Sequence, residues 1–188
     1  MVSLETGLRL LGGITLILGN GFFVAIEFGL TRTRQYSKAE FDKPGLRRAW
    51  EMTDDLEIYL TSCQVGITAT SIALGIVAEP AVAALVEPAI QGTTLATYGL
   101  GTAFAFLAIN LVHLTHGEQT PTYLGVERTK FVCRYGATPL YYFTKLVSPF
   151  IAVGDTVAKW TLGLFGIEMT GAWRETEEDA IESPADLR

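Results

Sequence analysis

Glu118 stands near the end of the apolar stretch LAINLVHLTHGEQTPT (107–122), directly after Gly117 and three residues before Pro121. Its oxygens are hard donors. Pro121 has no amide hydrogen and its ring crowds the carbonyl four residues back, so a helix here frees the Gly117 oxygen beside the carboxylate. Two other apolar stretches carry oxygens of the same kind. Asn20 lies between Gly19 and Gly21, where paired glycines loosen a helix and let carbonyls turn inward. Gln64, Thr68 and Ser71 recur at spacings of four and three, which sets one oxygen per turn on a single helix face. Asn110, His113 and Gly117 form a similar stripe. One carboxylate among neutral oxygens, with no thiolate nearby, suits a hard cation such as Mg²⁺.

Each of these residues also has a plainer use. Ser, Thr and Gly in membrane helices pack more often than they ligate, and Asn110 can serve as a hydrogen-bond partner between helices. Glu27, seven residues after Asn20 and so on the same helical face, fits a pathway equally as well as an ion pair with Arg32 or Arg34. A zinc site from His113, His116 and Glu118 lacks a nearby cysteine and the HExxH pattern. Yet a carboxylate held in a membrane helix costs about 2.5–3.5 kcal/mol at the centre, less toward an end, and that cost needs a compensating role. A bound cation supplies one.

These groups require apolar elements to hold them at depth. Residues 10–26, 58–78 and 89–116 contain no Asp, Glu, Lys or Arg, and runs near 20 residues are long enough to cross a bilayer. The 188-residue chain is 49% hydrophobic and 18% charged, with a mean hydropathy of +0.31 and its charges gathered into short blocks. The fold class is therefore an all-α integral membrane protein with three transmembrane helices, about 7–30, 57–78 and 93–117. Acidic Glu5 ahead of Arg9 and the absence of a clear small-residue cleavage site argue against a signal peptide at the first.

Arg32, Arg34, Lys38, Lys43, Arg47 and Arg48 follow the first span, and Arg128, Lys130, Arg134 and Lys145 follow the third. No basic residue lies between Arg48 and Arg128, a stretch that includes a loop over 79–92. Positive charge marks the cytoplasmic side, so the N-terminus is expected outside and the C-terminus inside a cell membrane. Segments 33–52 and 128–167 then read as juxtamembrane amphipathic helices on the cytoplasmic side. Tyr135, Tyr141, Tyr142 and Trp160 suit the lipid interface, and Pro139, Pro149, Asp155 and Lys159 interrupt the second segment. A fourth span over 146–167 is the competing reading. Residues 171–188 read as an acidic cytoplasmic linker or tail. Cys63 and Cys133 fall in different segments, which argues against a disulfide. A net charge of −6 argues against nucleic acid as a partner.

Asn20-Gly-Phe-Phe-Val-Ala-Ile-Glu27, Leu60-Thr-Ser-Cys-Gln-Val-Gly-Ile-Thr68 with Glu79-Pro80, and His113-Leu-Thr-His-Gly-Glu118-Gln-Thr-Pro121, in this order, resemble the transmembrane domain of the CorC/CNNM magnesium-transport family. The likeness covers nearly all of residues 5–170, and residues 1–170 read as one transmembrane domain. It implies a homodimer, three spans per subunit, a belt of juxtamembrane helices, and export of Mg²⁺ as bound substrate with Na⁺ as the driving ion. By motif position it implies an ion site at Asn20, Ser71, Gly117 and Glu118, joined by Thr68 and Asn110. Two departures bear on ion choice: Thr122 stands where the family commonly has Lys, and His116 where bacterial relatives have an apolar residue. The family usually continues into ATP-binding CBS modules. Residues 1–188 hold no Gly-rich phosphate loop, so no nucleotide is expected on this segment.

Two classes fit these residues. The first is a cation transporter, which is not an enzyme; the second is a membrane scaffold or regulatory module whose polar groups only join helices.

Overall fold

The structure is a computed structural model and describes residues 3–90, 92 and 100–166. The described residues are helical, with no strand among them. Helix α1 spans Leu4–Thr33 and begins where the Ser3 hydroxyl accepts the Thr6 amide at 3.1 Å. A 3₁₀ turn at Lys38–Phe41, the short helix α2 at Leu46–Met52 and a second 3₁₀ turn at Thr53–Asp55 lead into α3, Leu56–Ile90. Helix α4 covers Leu100–Val112, followed by a π-helical turn at His113–Gln119, α5 at Thr120–Glu127 and α6 at Thr129–Leu164.

Among the described residues, three helical stretches are long and apolar enough to cross a membrane: Leu4–Thr33, Leu46–Pro88 and Leu100–Glu127. Their surfaces invert the pattern of a water-soluble protein. On α1, Leu4, Leu8, Leu11, Ile14 and Leu18 are exposed at spacings of three and four, while Asn20 on the opposite face is buried. Lipid accommodates the first set. The α1 helix packs along α3, the π-helical turn and α5, and α3 also packs on α4.

The chain divides into two compact units at Ser148/Pro149. Within the first, an apolar core of Ile26, Leu30, Phe41, Leu46, Ala49, Met52, Cys63, Cys133 and Leu140 joins the basic end of α1 to the segments that follow it. Lys130 pairs with Glu40 and holds its carboxyl below the usual range, with the Ser37 amide assisting. Arg34 bonds the Thr53 hydroxyl at 2.6 Å and pairs with Asp54. Within the second, the Phe150, Val153, Val157, Trp160 and Leu164 side chains are exposed along one stripe, opposite an Asp155–Lys159 pair at 2.6 Å.

Several sequence expectations change here. The segment 79–92 is no loop as a whole, because α3 continues through Pro80 and Pro88 to Ile90. Proline in a membrane helix is tolerated where neighbouring groups take up the carbonyl it leaves. The 33–52 segment is two short pieces, broken at Pro44-Gly45, where Gly45 has φ +84° against the Arg134 carbonyl. Thr129–Leu164 is one helix despite Pro139 and Pro149, and it is not among the three apolar enough to span. Residues 93–99, which open the third expected span, and the 171–188 tail lie outside the described residues.

Candidate functional site

Asn20 sits about 24 Å from the start of α1 and about 20 Å from its end, at 1.5 Å per residue. It is 1% exposed, near the middle of the helix. Its amide nitrogen donates to the Gly117 carbonyl at 3.0 Å. Its amide oxygen accepts the Thr70 hydroxyl at 2.9 Å and the Ser71 hydroxyl at 3.2 Å. One side chain thus ties α1 to α3 and to the π-helical turn, and it satisfies donors and acceptors that lipid would leave bare.

The freed carbonyl of Gly117 follows from Pro121. The turn His113–Gln119 widens to π geometry, in which the Thr120 amide reaches back five residues to Thr115. Pro121 offers no amide to Gly117, and Asn20 of α1 supplies the donor instead. Two glycines permit the approach. A Cβ at Gly117 would lie 2.6 Å from the His113 ring, and one at Gly21 would lie 2.9 Å from the Pro121 ring. Gly21 therefore serves contact with α5. The expectation that Gly19 and Gly21 loosen the helix is corrected, since α1 is uninterrupted α-helix through both.

Glu118 follows Gly117 directly and is half-buried, with its Oε1 3.9 Å from His113 Nε2. His113 is buried, and the same nitrogen is 3.5 Å from the Ser71 hydroxyl. Beside Ser71 and His113 lies a cavity of about 100 Å³, lined also by Leu74, Glu79, Phe106 and Asn110.

Of the six residues expected to meet a cation, Asn20, Ser71 and Gly117 are in direct contact, and Glu118 joins them through His113. Thr68 is exposed on another side of α3, and Thr70 takes the place beside Asn20. Asn110 is exposed; its amide nitrogen bonds its own helix at Phe106 O, 2.8 Å, while it borders the cavity. Thr70 escaped the sequence reading because Gln64, Thr68 and Ser71 offered the more regular stripe. The chance of a Glu27 ion pair also recedes. Arg32 bonds Gln35, and Arg34 bonds Thr53 and Asp54, so neither is engaged with Glu27.

His116 does not converge with His113, being exposed with its ring nitrogen 3.3 Å from Val112 O. Among the described residues no three His, Cys, Asp or Glu side chains gather in a way that would hold a metal ion. A cation at this site would rely on neutral oxygens around one carboxylate.

The family profile described as the cyclin M (CNNM) transmembrane N-terminal domain matches residues 11–187. The chain belongs to the CNNM family. The CNNM chain is 31% identical over 179 residues to the UPF0053 protein YhdT of Bacillus subtilis, covering 92% of itself and 38% of that protein. It is 28% identical over 187 residues to the UPF0053 protein YugS of Bacillus subtilis, with coverage of 96% and 42%. It is 29% identical over 170 residues to the UPF0053 protein MT1890 of Mycobacterium tuberculosis, with coverage of 87% and 37%. The CNNM chain thus spans about two fifths of the length of these relatives. Membership makes it a membrane protein of a family associated with divalent cation transport.

Proposed function

We propose that this chain is the ion-conducting membrane domain of a transporter that exports Mg²⁺ from the cytoplasm with Na⁺ as the coupling ion. It works as a homodimer, with the N-terminus outside and the stripe of Phe150, Val153, Val157, Trp160 and Leu164 resting on lipid at the cytoplasmic face. The observation that carries the reading is the meeting, at mid-depth, of Asn20, Ser71 and the Gly117 carbonyl next to the Glu118 carboxylate. Hard oxygens from three spans converge where a purely structural contact needs only two.

The cluster can release its oxygens to an ion at small cost. The Thr70 hydroxyl reaches Gly66 O at 2.8 Å and Ile67 O at 3.0 Å as well as Asn20, so it can turn to its own helix. One lone pair of Asn20 Oδ1 is then open, while the Ser71 hydroxyl still donates to this oxygen at 3.2 Å. Glu118 supplies the charge that compensates a dication in low dielectric, and it coordinates without transferring a proton.

The test is isothermal titration of the chain in nanodiscs with Mg²⁺. Glu118→Gln keeps the shape and one oxygen but loses the charge, and affinity should fall more than about tenfold, or about 1.4 kcal/mol. Ser71→Ala should lose less, because water can replace a neutral ligand. Equal Mg²⁺ affinity with Gln at this position would make the carboxylate structural and favour a scaffold.

A further inference from the structure

Arg48 of α2 and Lys145 of α6 stand apart from the oxygen cluster, and both lie over the ring of Tyr141. The Arg48 guanidinium carbon is 5.0 Å and the Lys145 ammonium 4.5 Å from the ring centre, so at most about 10 Å separates the two charges. We propose that these two cations and Tyr141 form a binding site for the phosphate headgroup of an anionic phospholipid. The proposal shares with the reading above only the placing of α6 at the membrane surface.

Charge pairing comes first. Arg34 over Trp50 and Lys130 over Tyr36 are each neutralised by an acid, Asp54 and Glu40 respectively. Among the described residues Tyr141 is the one ring that holds two cations, and neither of them pairs with a carboxylate. Glu51 and Asp55, the acids that follow Arg48 in the chain, make no ion pair with it. Like charges this close lie within about one Debye length, so salt screens their repulsion only in part, and a bound anion removes it. Arg48 Nη1 donates to the Thr138 hydroxyl at 3.0 Å, which holds the guanidinium against α6 and leaves most of its planar donor fork for a phosphate.

Position selects the ligand. Phe131, Tyr135, Tyr142 and Leu146 are exposed on α6 and fall on one stripe. At about 100° per residue, the row of Arg134, Thr138, Tyr141 and Lys145 runs beside that stripe, roughly a quarter-turn away. An apolar stripe flanked by cations matches a phospholipid, whose acyl chains meet the first while its phosphate meets the second. A soluble phosphate gains nothing from the stripe. The reach also fits: one phosphodiester serves donors about 8 Å apart at about 2.8 Å per charge-assisted bond, and the flexible four-carbon stem of Lys145 closes the remainder. A lipid seated there ties α2 to α6 through its headgroup.

The test is native mass spectrometry of the chain in neutral detergent, titrated with phosphatidylglycerol or with phosphatidylcholine. The unmodified chain should hold phosphatidylglycerol about tenfold or more tightly than phosphatidylcholine. Arg48→Gln with Lys145→Gln should reduce that preference to about threefold or less, whereas Lys43→Gln with Arg47→Gln, which removes equal charge from exposed neighbours, should keep it. Lys145→Gln alone, at an exposed position, should lower the preference severalfold and gives the answer if the double variant does not fold. No preference in the unmodified chain, an unchanged preference in Lys145→Gln, or equal loss in both double variants overturns the proposal and leaves the Mg²⁺ titration untouched. Displacement of the bound lipid by inorganic phosphate would mark a site for soluble anions and overturn the assignment to lipid.

Discussion

Asn20 uses its amide on three partners from two other elements, and which α3 residues it meets is a matter of helical phase. At about 100° per residue, Thr70 and Ser71 flank one direction, whereas Thr68 points more than a quarter-turn away from it. Thr70→Val should accordingly weaken Mg²⁺ binding severalfold, because it removes the hydroxyl that holds Asn20 in position before an ion arrives, and Thr68→Ala should leave it unchanged. Titration of the two variants side by side checks this, and equal losses would put Thr68 back in the site. Asn20, Gly117 and Glu118 were legible in the sequence because a lone amide, a glycine and a carboxylate are conspicuous in apolar surroundings. Thr70 was not, because hydroxyl residues are frequent in this span and the phase of α3 against α1 depends on packing between them. His113 was visible as part of a stripe, but its contact with Ser71 needed the fold.

At the scale of the elements, the sequence reading gained most from Pro121. A missing amide hydrogen has a definite consequence four residues earlier, and Gly117 O does accept its hydrogen bond from another helix. Restoring the donor should reverse that consequence. Pro121→Ala allows the amide at this position to compete with Asn20 for Gly117 O and to tighten the π-helical turn toward ordinary α-helix. We expect Mg²⁺ affinity to fall several-fold while thermal stability holds or rises, a pairing that melting curves and titration measured together would reveal. A loss of stability with unchanged binding would instead make Pro121 a packing residue against Gly21. Composition was a weaker guide to where elements end. Residues 79–92 were expected as a loop between two spans, yet α3 runs through Pro80 and Pro88 to Ile90, as proline is tolerated inside membrane helices. In the same way, the break between Phe41 and Leu46 came from Pro44-Gly45 and was hidden within an apparently continuous amphipathic pattern.

For the whole molecule, the three spans were plain from charge-free length alone, but where the proposed homodimer would form its contact depends on packing faces. Ala103, Phe106 and Asn110 recur at three and four on α4, and all are exposed. Phe106 and Asn110 also line the cavity beside Ser71 and His113. A polar Asn on a lipid-length helix is better placed against protein than against acyl chains, and a second copy laid on this face would cover both the Asn and the cavity. Two-fold symmetry brings each residue near its axis close to its own copy, so Ala103→Cys should form a disulfide-linked dimer in membranes under mild oxidant. The native cysteines do not confuse the outcome. Both are buried, and burial pushes the Cys133 thiol up to about 11, which leaves little thiolate to react near neutral pH. A cysteine at exposed Leu18, on the lipid face of α1, serves as the comparison and should remain monomeric. Linkage through Leu18→Cys with none through Ala103→Cys would move the dimer contact to α1 and leave the cavity beside Ser71 open to lipid.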